Sequence, residues 1–527
     1  MAQIPLVGPT YQSKSVAAEC QRTINWYPEA IESQMGKSGA AAVLYPTPGL
    51  RQIPSTALPG VWRRNGLLAM PYQADASFQG TVGFGVCGTQ FVQLNPIWGG
   101  PNPAVPVGIA IGVRGQVRDD GQPVRMAHSG IAGNKLQVVL CSGGAAYLYD
   151  LGTGVLTGLT LAVSPVISVF YMDGVFFAVS PTKFQISDDN FRPGHVGAAT
   201  WDPSAVANRS EGADPIVTGL QNHREVWLPG EHTTEVWYNT GGSDTPPFAP
   251  IPGVFVELGC AAAHSFTRVD QSVAWLAKTR DGDRIAVLLT QYEPQRISTH
   301  AIENTWRSYA RVDDAVGWTY QQDGHTFWML AFPTAKATWV YDSATQLWHE
   351  RSYWNPRTAE HEEHRAACGM RAWNLTIVGD RASSTLYALD PEIAWDDVPE
   401  FRNSPIRRVR RCPHLSSENR NQFFAELQAE LETGLGRPVG AMQGASSTGF
   451  PVGGPVGQDP QLMLRWSDDR AHTWSSEWWR SGHRMGTYGA RVRWHRLGAS
   501  RDRVFELSVS DPIPWRLTGA YVEAKGA

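Results

Sequence analysis

Residues 338–350 read TWVYDSATQLWHE. Trp339, Val340 and Tyr341 are β-branched or aromatic, which suits a pleated strand. Asp342 and Ser343 can bond their own backbone and so set a turn. Leu347 and Trp348 then lead back, so the stretch predicts a strand, a tight turn and a returning strand. Residues 146–156 (AYLYDLGTGVL) have the same form, with Gly152 and Gly154 in the turn. Residues 273–289 (VAWLAKTRDGDRIAVLL) predict a hairpin about Asp281-Gly282.

Comparable strand centres fall near Val92, Leu148, Ile186, Trp237, Val287, Val340 and Tyr387. Their spacing of about 50 residues is the length of one four-stranded propeller blade. The predicted fold is all-β: a β-propeller of about six to seven blades over residues 61–400, with an additional C-terminal β-rich region over 401–527. Stacked sandwiches are the alternative arrangement. Pro5, Pro9, Pro28, Pro46 and Pro48 punctuate residues 1–60 and predict an extended N-terminal arm there. Arg407, Arg408, Arg410, Arg411 and Pro413 interrupt the pattern and mark the boundary. Residues 423–432 (FFAELQAELE) have helix-forming composition, but apolar side chains at alternate positions predict a strand. Eight glycines within 434–457 predict a long loop.

Composition agrees with many short strands: 52 Gly and 36 Pro supply turns, and 21 Trp supply packing. With 42% hydrophobic and 18% charged residues the chain can fill a core, which excludes global disorder. A net charge of −4 gives no overall nucleic-acid signal. Charge is uneven, however: residues 402–503 hold sixteen Arg, no Lys and nine acids. Arg suits planar contacts to carboxylate, phosphate or aromatic faces. The six cysteines are widely spaced, with no Cys-x-x-Cys pair, and read as reduced thiols of a protein made in the cytoplasm. No signal peptide and no membrane-spanning segment are expected.

Two chemical motifs are weak. Residues 83–88 (GFGVCG) match a dinucleotide fingerprint, but the strand-like TQFVQL that follows cannot offer a helix N-terminus to pyrophosphate. His361 and His364 lack the i, i+4 spacing of a helical zinc pair and read as strand residues. A third motif is sharper. Ser467-Asp468-Asp469-Arg470-Ala471-His472-Thr473-Trp474 resembles the Asp-box hairpin of sialidases and other propellers, with Ala471 in place of the usual Gly. Its role in those families is structural, so Ser467, Asp469, Thr473 and Trp474 are expected to build a hairpin. No pair of placed carboxylates for glycoside cleavage is evident, and no catalytic, cofactor or metal residues are assigned.

An ordered set of segments resembles the packaged-DNA stabilisation, or tail hub (nozzle), proteins of short-tailed bacteriophages. It runs from Asn25-Trp26-Tyr27-Pro28 and Pro48-Gly49-Leu50, through Met126-Ala127-His128 and Thr234-Glu235-Val236-Trp237-Tyr238-Asn239-Thr240-Gly241. It continues through Val378-Gly379-Asp380 to residues 497–507 (LGASRDRVFEL). The resemblance implies a non-enzymatic virion tail protein without cofactors, assembled in the host cytoplasm. It implies a homo-oligomeric ring, a hexamer, below the portal and adaptor and bound distally to needle, nozzle, tailspike or fibre proteins. Such a ring retains packaged double-stranded DNA, passes it without sequence specificity during ejection, and inserts no segment of its own into a membrane. Arg407, Arg408, Arg410, Arg411, Arg491, Arg493, Arg501 and Arg503 are the candidates to face DNA or a partner. The competing readings are a carbohydrate-binding or glycoside-hydrolysing propeller of the Asp-box type and a kelch-like interaction scaffold.

Overall fold

The turn expected after Asp342 forms through that residue's own side chain. The Ala344 N–H donates to Asp342 Oδ1 at 3.0 Å and the Thr345 hydroxyl to Oδ2 at 2.7 Å. Asp150 and Asp390 end strands in the same way, accepting from the N–H groups of Gly152 (2.8 Å) and Glu392 (3.0 Å). Each Asp lets the third strand of a sheet stop and reverse within a few residues.

The computed structural model describes all residues except 32–41, 76–77, 101, 131–134, 192–193, 210–211, 213, 243–244, 435–459, 485 and 527. Apart from Gly434, the predicted 434–457 loop lies outside the described residues. Antiparallel sheets succeed one another over residues 62–116, 125–158, 168–208, 220–256, 259–296, 316–350 and 366–390. An apolar cluster lies between each neighbouring pair. For example, Phe84, Phe91, Leu140 and Tyr149 pack between the first two sheets, and Trp62, Leu94, Cys368 and Ile377 pack between the last and the first. The circle is therefore closed, which is the arrangement of a propeller.

The last sheet draws only three strands from residues 366–390. Its fourth is Gly49–Ile53, paired from Leu386↔Ile53 to Asp390↔Gly49, and Arg51 meets Asp390 at 2.7 Å. The beginning of the chain thus completes the sheet that ends the circle.

Phe401–Pro405 pairs with Trp395–Val398 on the last propeller sheet, and the described strands from Arg408 onward form a sandwich with much of the N-terminal segment. One sheet joins Trp26–Ala30, Ala42–Pro46, Leu517–Gly526, Gln422–Leu431 and Val492–Ser500, with Ala2–Ile4 paired to Leu517–Gly526. Gln422–Leu431 is a strand, as its alternation predicts. The other sheet runs Cys20–Ile24, Arg408–Arg411, Asp502–Val509, Gln461–Ser467 and Trp478–Ser481. Trp26, Leu44, Leu464, Trp494, Phe505 and Trp515 fill the space between them. This second sheet is continuous with a propeller sheet: Cys20–Ile24 pairs on one side with Arg408–Arg411 and on the other with Trp348–Glu350. Arg22 reinforces that join with an ion pair to Glu350 at 2.7 Å.

Candidate functional site

The Asp-box-like residues and part of the Arg-rich region come together on one side of the sandwich. Ser467 ends the strand Gln461–Ser467, and its hydroxyl accepts from the Ala471 N–H at 2.8 Å while donating to Asp469 Oδ1 at 2.7 Å. Asp469 also accepts from the N–H groups of His472 (3.1 Å) and Thr473 (2.8 Å) and from the Thr473 hydroxyl (2.6 Å). These bonds, the Thr473 hydroxyl foremost, hold the Asp469 carboxyl well below the usual carboxylate range. The motif thus spends its polar groups on its own turn.

Trp474 is half-buried and lies between two guanidinium groups, Arg411 at 4.6 Å and Arg465 at 4.9 Å from the ring centroid. Both arginines converge on the buried Glu506, at 2.7 and 2.5 Å. Cation–π contact and ion pairing together fix the hairpin on the sheet. Arg470 (φ 61°) and Ala471 (φ 69°) adopt left-handed backbone, which explains why glycine is usual at the second position. Ala471→Gly is therefore expected to stabilise the protein by about 1 kcal/mol, measured as a higher urea midpoint.

The eight candidate arginines separate sharply. Arg408, Arg410 and Arg503 are 0% exposed, so on this fold they do not face DNA or an external partner. Arg503 donates to both oxygens of Asp468 (2.7 and 2.9 Å) and to the Leu497 carbonyl (2.6 Å) beneath Phe424. Arg410 reaches the N-terminal segment, donating to the Leu6 and Pro9 carbonyls, Thr23 Oγ1 and Gln21 Oε1. Arg407 pairs with Glu477 at 2.5 Å and lies 4.7 Å from the centre of the Trp354 ring. Arg411 belongs to the Trp474 cluster, and Arg493 pairs with Glu426 at 3.2 Å. Only Arg491 and Arg501 of the eight are exposed, without a partner among the described residues. The physical reason is coverage: residues 6–23 lie over Arg410 and Phe424 lies over Arg503, so what packs on each side chain decides its exposure.

The other sequence motifs are also accounted for by packing. Residues 83–88 lie in a hairpin between Phe78–Cys87 and Gln90–Ile97. A Cβ on Gly85 would fall 2.5 Å from the Trp62 ring, and Gly88 turns with φ 56°. His361 shares a hydrogen bond with the Ser352 hydroxyl at 2.7 Å, while His364 is buried elsewhere. Sequence reading missed the buried Arg351 and Arg365 and the acceptors that Arg410 finds on residues 6–23. No local signal marks them, because their partners are distant in the chain.

A ring of β-sheets closed by the N-terminal segment, and joined through a shared sheet to a β-sandwich, defines a two-part, all-β protein. Both parts match one family. The model described as "Bacteriophage P22 Gp10, beta-propeller" covers residues 3–394, and "Bacteriophage P22 Gp10, beta-sandwich" covers residues 407–525. The chain belongs to this family and is a structural protein of a phage tail. No curated protein sequence matches it. Among solved structures, it is similar to the N-terminal domain of Nup159, with 9% identity, a TM-score of 0.36 and coverage of 70% of this chain and 98% of that one. It is also similar to a chain of Polycomb Repressive Complex 2 from Chaetomium thermophilum, with 14% identity, a TM-score of 0.34 and coverage of 56% and 73%.

Proposed function

We propose that copies of this chain form a ring, a hexamer, below the portal and adaptor of a short-tailed phage. The ring retains packaged DNA, forms part of the ejection channel, and carries the distal needle, nozzle or fibre proteins. Assembly takes place in the host cytoplasm. The family match over both domains carries this reading. Two features of the fold support it. The sheet shared by propeller and sandwich makes a stiff wall segment out of two domains. Large aromatic groups stand on the surface, including Trp98 (51% exposed), Trp479 (52%) and Tyr488 (72%), the kind of side chain that anchors obligate interfaces. Arg491 and Arg501 are the candidates left to meet DNA or a neighbour.

Light scattering of the purified protein mixed with portal–adaptor complex tests the reading. A ring-sized assembly is expected; a monomer that ignores the complex overturns it. In virions, Arg491→Gln with Arg501→Gln should weaken genome retention at low salt and make it less dependent on salt if these side chains touch phosphate. Retention unchanged at every salt concentration moves them to protein contacts.

A further inference from the structure

Where the sixth and seventh propeller sheets meet the sandwich, polar groups are buried without partners. Arg408 opens the strand Arg408–Arg411 and is 0% exposed, yet none of its three guanidinium nitrogens has a hydrogen-bond partner among the described residues. Arg351, 2% exposed, donates to the Pro48 carbonyl at 2.8 Å and the Tyr320 hydroxyl at 3.3 Å, but its Nε has no partner among the described residues. His349 lies in the adjoining strand Trp348–Glu350, 0% exposed, with both ring nitrogens unpartnered among the described residues. A carboxylate that acts on both arginines is Asp396, 3% exposed, whose Oδ1 already accepts from the Leu50 N–H at 3.2 Å.

An arginine cannot shed its proton in a protein, so it presents five donors wherever it is placed. A buried cation with no acceptor costs several kcal/mol, and folded proteins satisfy such groups. Two buried carboxylates of the last propeller sheets are committed to other arginines. Asp380 takes Arg365 on both oxygens, and Glu363 takes Arg64. Burial dominates the acid–base behaviour of the seam: it brings Arg408 down to about 10, takes His349 down to about 3 and lifts Asp396 to about 6. The histidine is neutral there, and two arginines face one acid.

We propose that this seam binds a small monovalent anion, chloride, held by Arg408 and the Nε–H of Arg351. A site rich in donors and poor in acceptors calls for a species that only accepts. Water is a weaker fit, because each molecule brings two protons that need acceptors of their own. Two guanidinium charges against one carboxylate set the ligand's charge at one. Near-complete burial of Arg408, Arg351 and Asp396 sets its size as small. The bound ion would join propeller strand to sandwich strand, since Arg351 follows the former and Arg408 begins the latter.

Long-wavelength anomalous diffraction from crystals of the full chain, grown with chloride as the only halide, tests this. An anomalous peak within hydrogen-bonding distance of the Arg408 guanidinium is expected. Density there without anomalous signal, or no density, overturns the proposal. Crystals of Arg408→Met should lose the peak, and a peak that persists in them also overturns it. If that variant does not fold, the wild-type map alone decides.

Discussion

Replacing Arg410 by methionine is expected to destabilise the protein by about 3 kcal/mol, because buried acceptors left without a donor cost about 1–3 kcal/mol each. Arg410 is fully enclosed, and all its acceptors lie on residues 6–23: the Leu6 and Pro9 carbonyls, Gln21 Oε1 and Thr23 Oγ1. Methionine fills much of the volume but offers no donors, so two main-chain carbonyls and two side-chain oxygens lose the guanidinium. Burial already brings Arg410 down to about 10, so its charge is held at a cost that these bonds help to offset. The damage should spread beyond the site, because Cys20–Ile24 joins the propeller sheet to the sandwich. Amide hydrogen exchange over residues 2–24 should accelerate before the propeller opens, while chemical denaturation shows the lowered midpoint. Unchanged exchange over that segment would show that the pairing of Cys20–Ile24 holds without the arginine.

What could be read from the sequence was local. The turns after Asp150, Asp342 and Asp390 follow from an Asp bonding N–H groups two or three residues on. The Asp-box hairpin closes within seven residues for the same reason. Repetition of such units at near-constant spacing was enough to expect a propeller. The Arg-rich region was read as a surface because a charge run is normally solvated. The structure instead brings its acceptors from far away: Arg410 and Leu6 are 404 positions apart. Sequence spacing carries no information about such pairs. The N-terminal arm shows the same limit. Its prolines predict extended backbone, but nothing local tells that Gly49–Ile53 completes the last propeller sheet or that Cys20–Ile24 bridges two domains. Arg491 and Arg501 look no different in sequence from Arg408, and only the fold separates exposed from enclosed.

Asp380→Asn is the second change with a large expected effect, about 3–5 kcal/mol. Asp380 ends the strand Leu375–Asp380 and is 0% exposed. It accepts from Arg365 at 2.9 and 2.8 Å, from the Ala382 N–H at 3.1 Å, from the Ser383 hydroxyl at 2.5 Å and from the Tyr387 hydroxyl at 3.1 Å. Asparagine matches its shape but turns one acceptor oxygen into a donor NH2, which then faces the Arg365 guanidinium or the two hydroxyls. Arg365, 5% exposed, keeps only Glu400, which is itself half in solvent at 43%. This sheet is the one that Gly49–Ile53 completes, so loosening it weakens a join between the two ends of the propeller segment. The loss should appear as a lowered denaturation midpoint. In a double-mutant cycle, adding Arg365→Met to Asp380→Asn should cost less than the sum of the single changes, because the second removes the cation the first left unpaired. Strict additivity would mean that the pair does not hold the sheet and that the propeller closes on its apolar clusters and strand pairing alone.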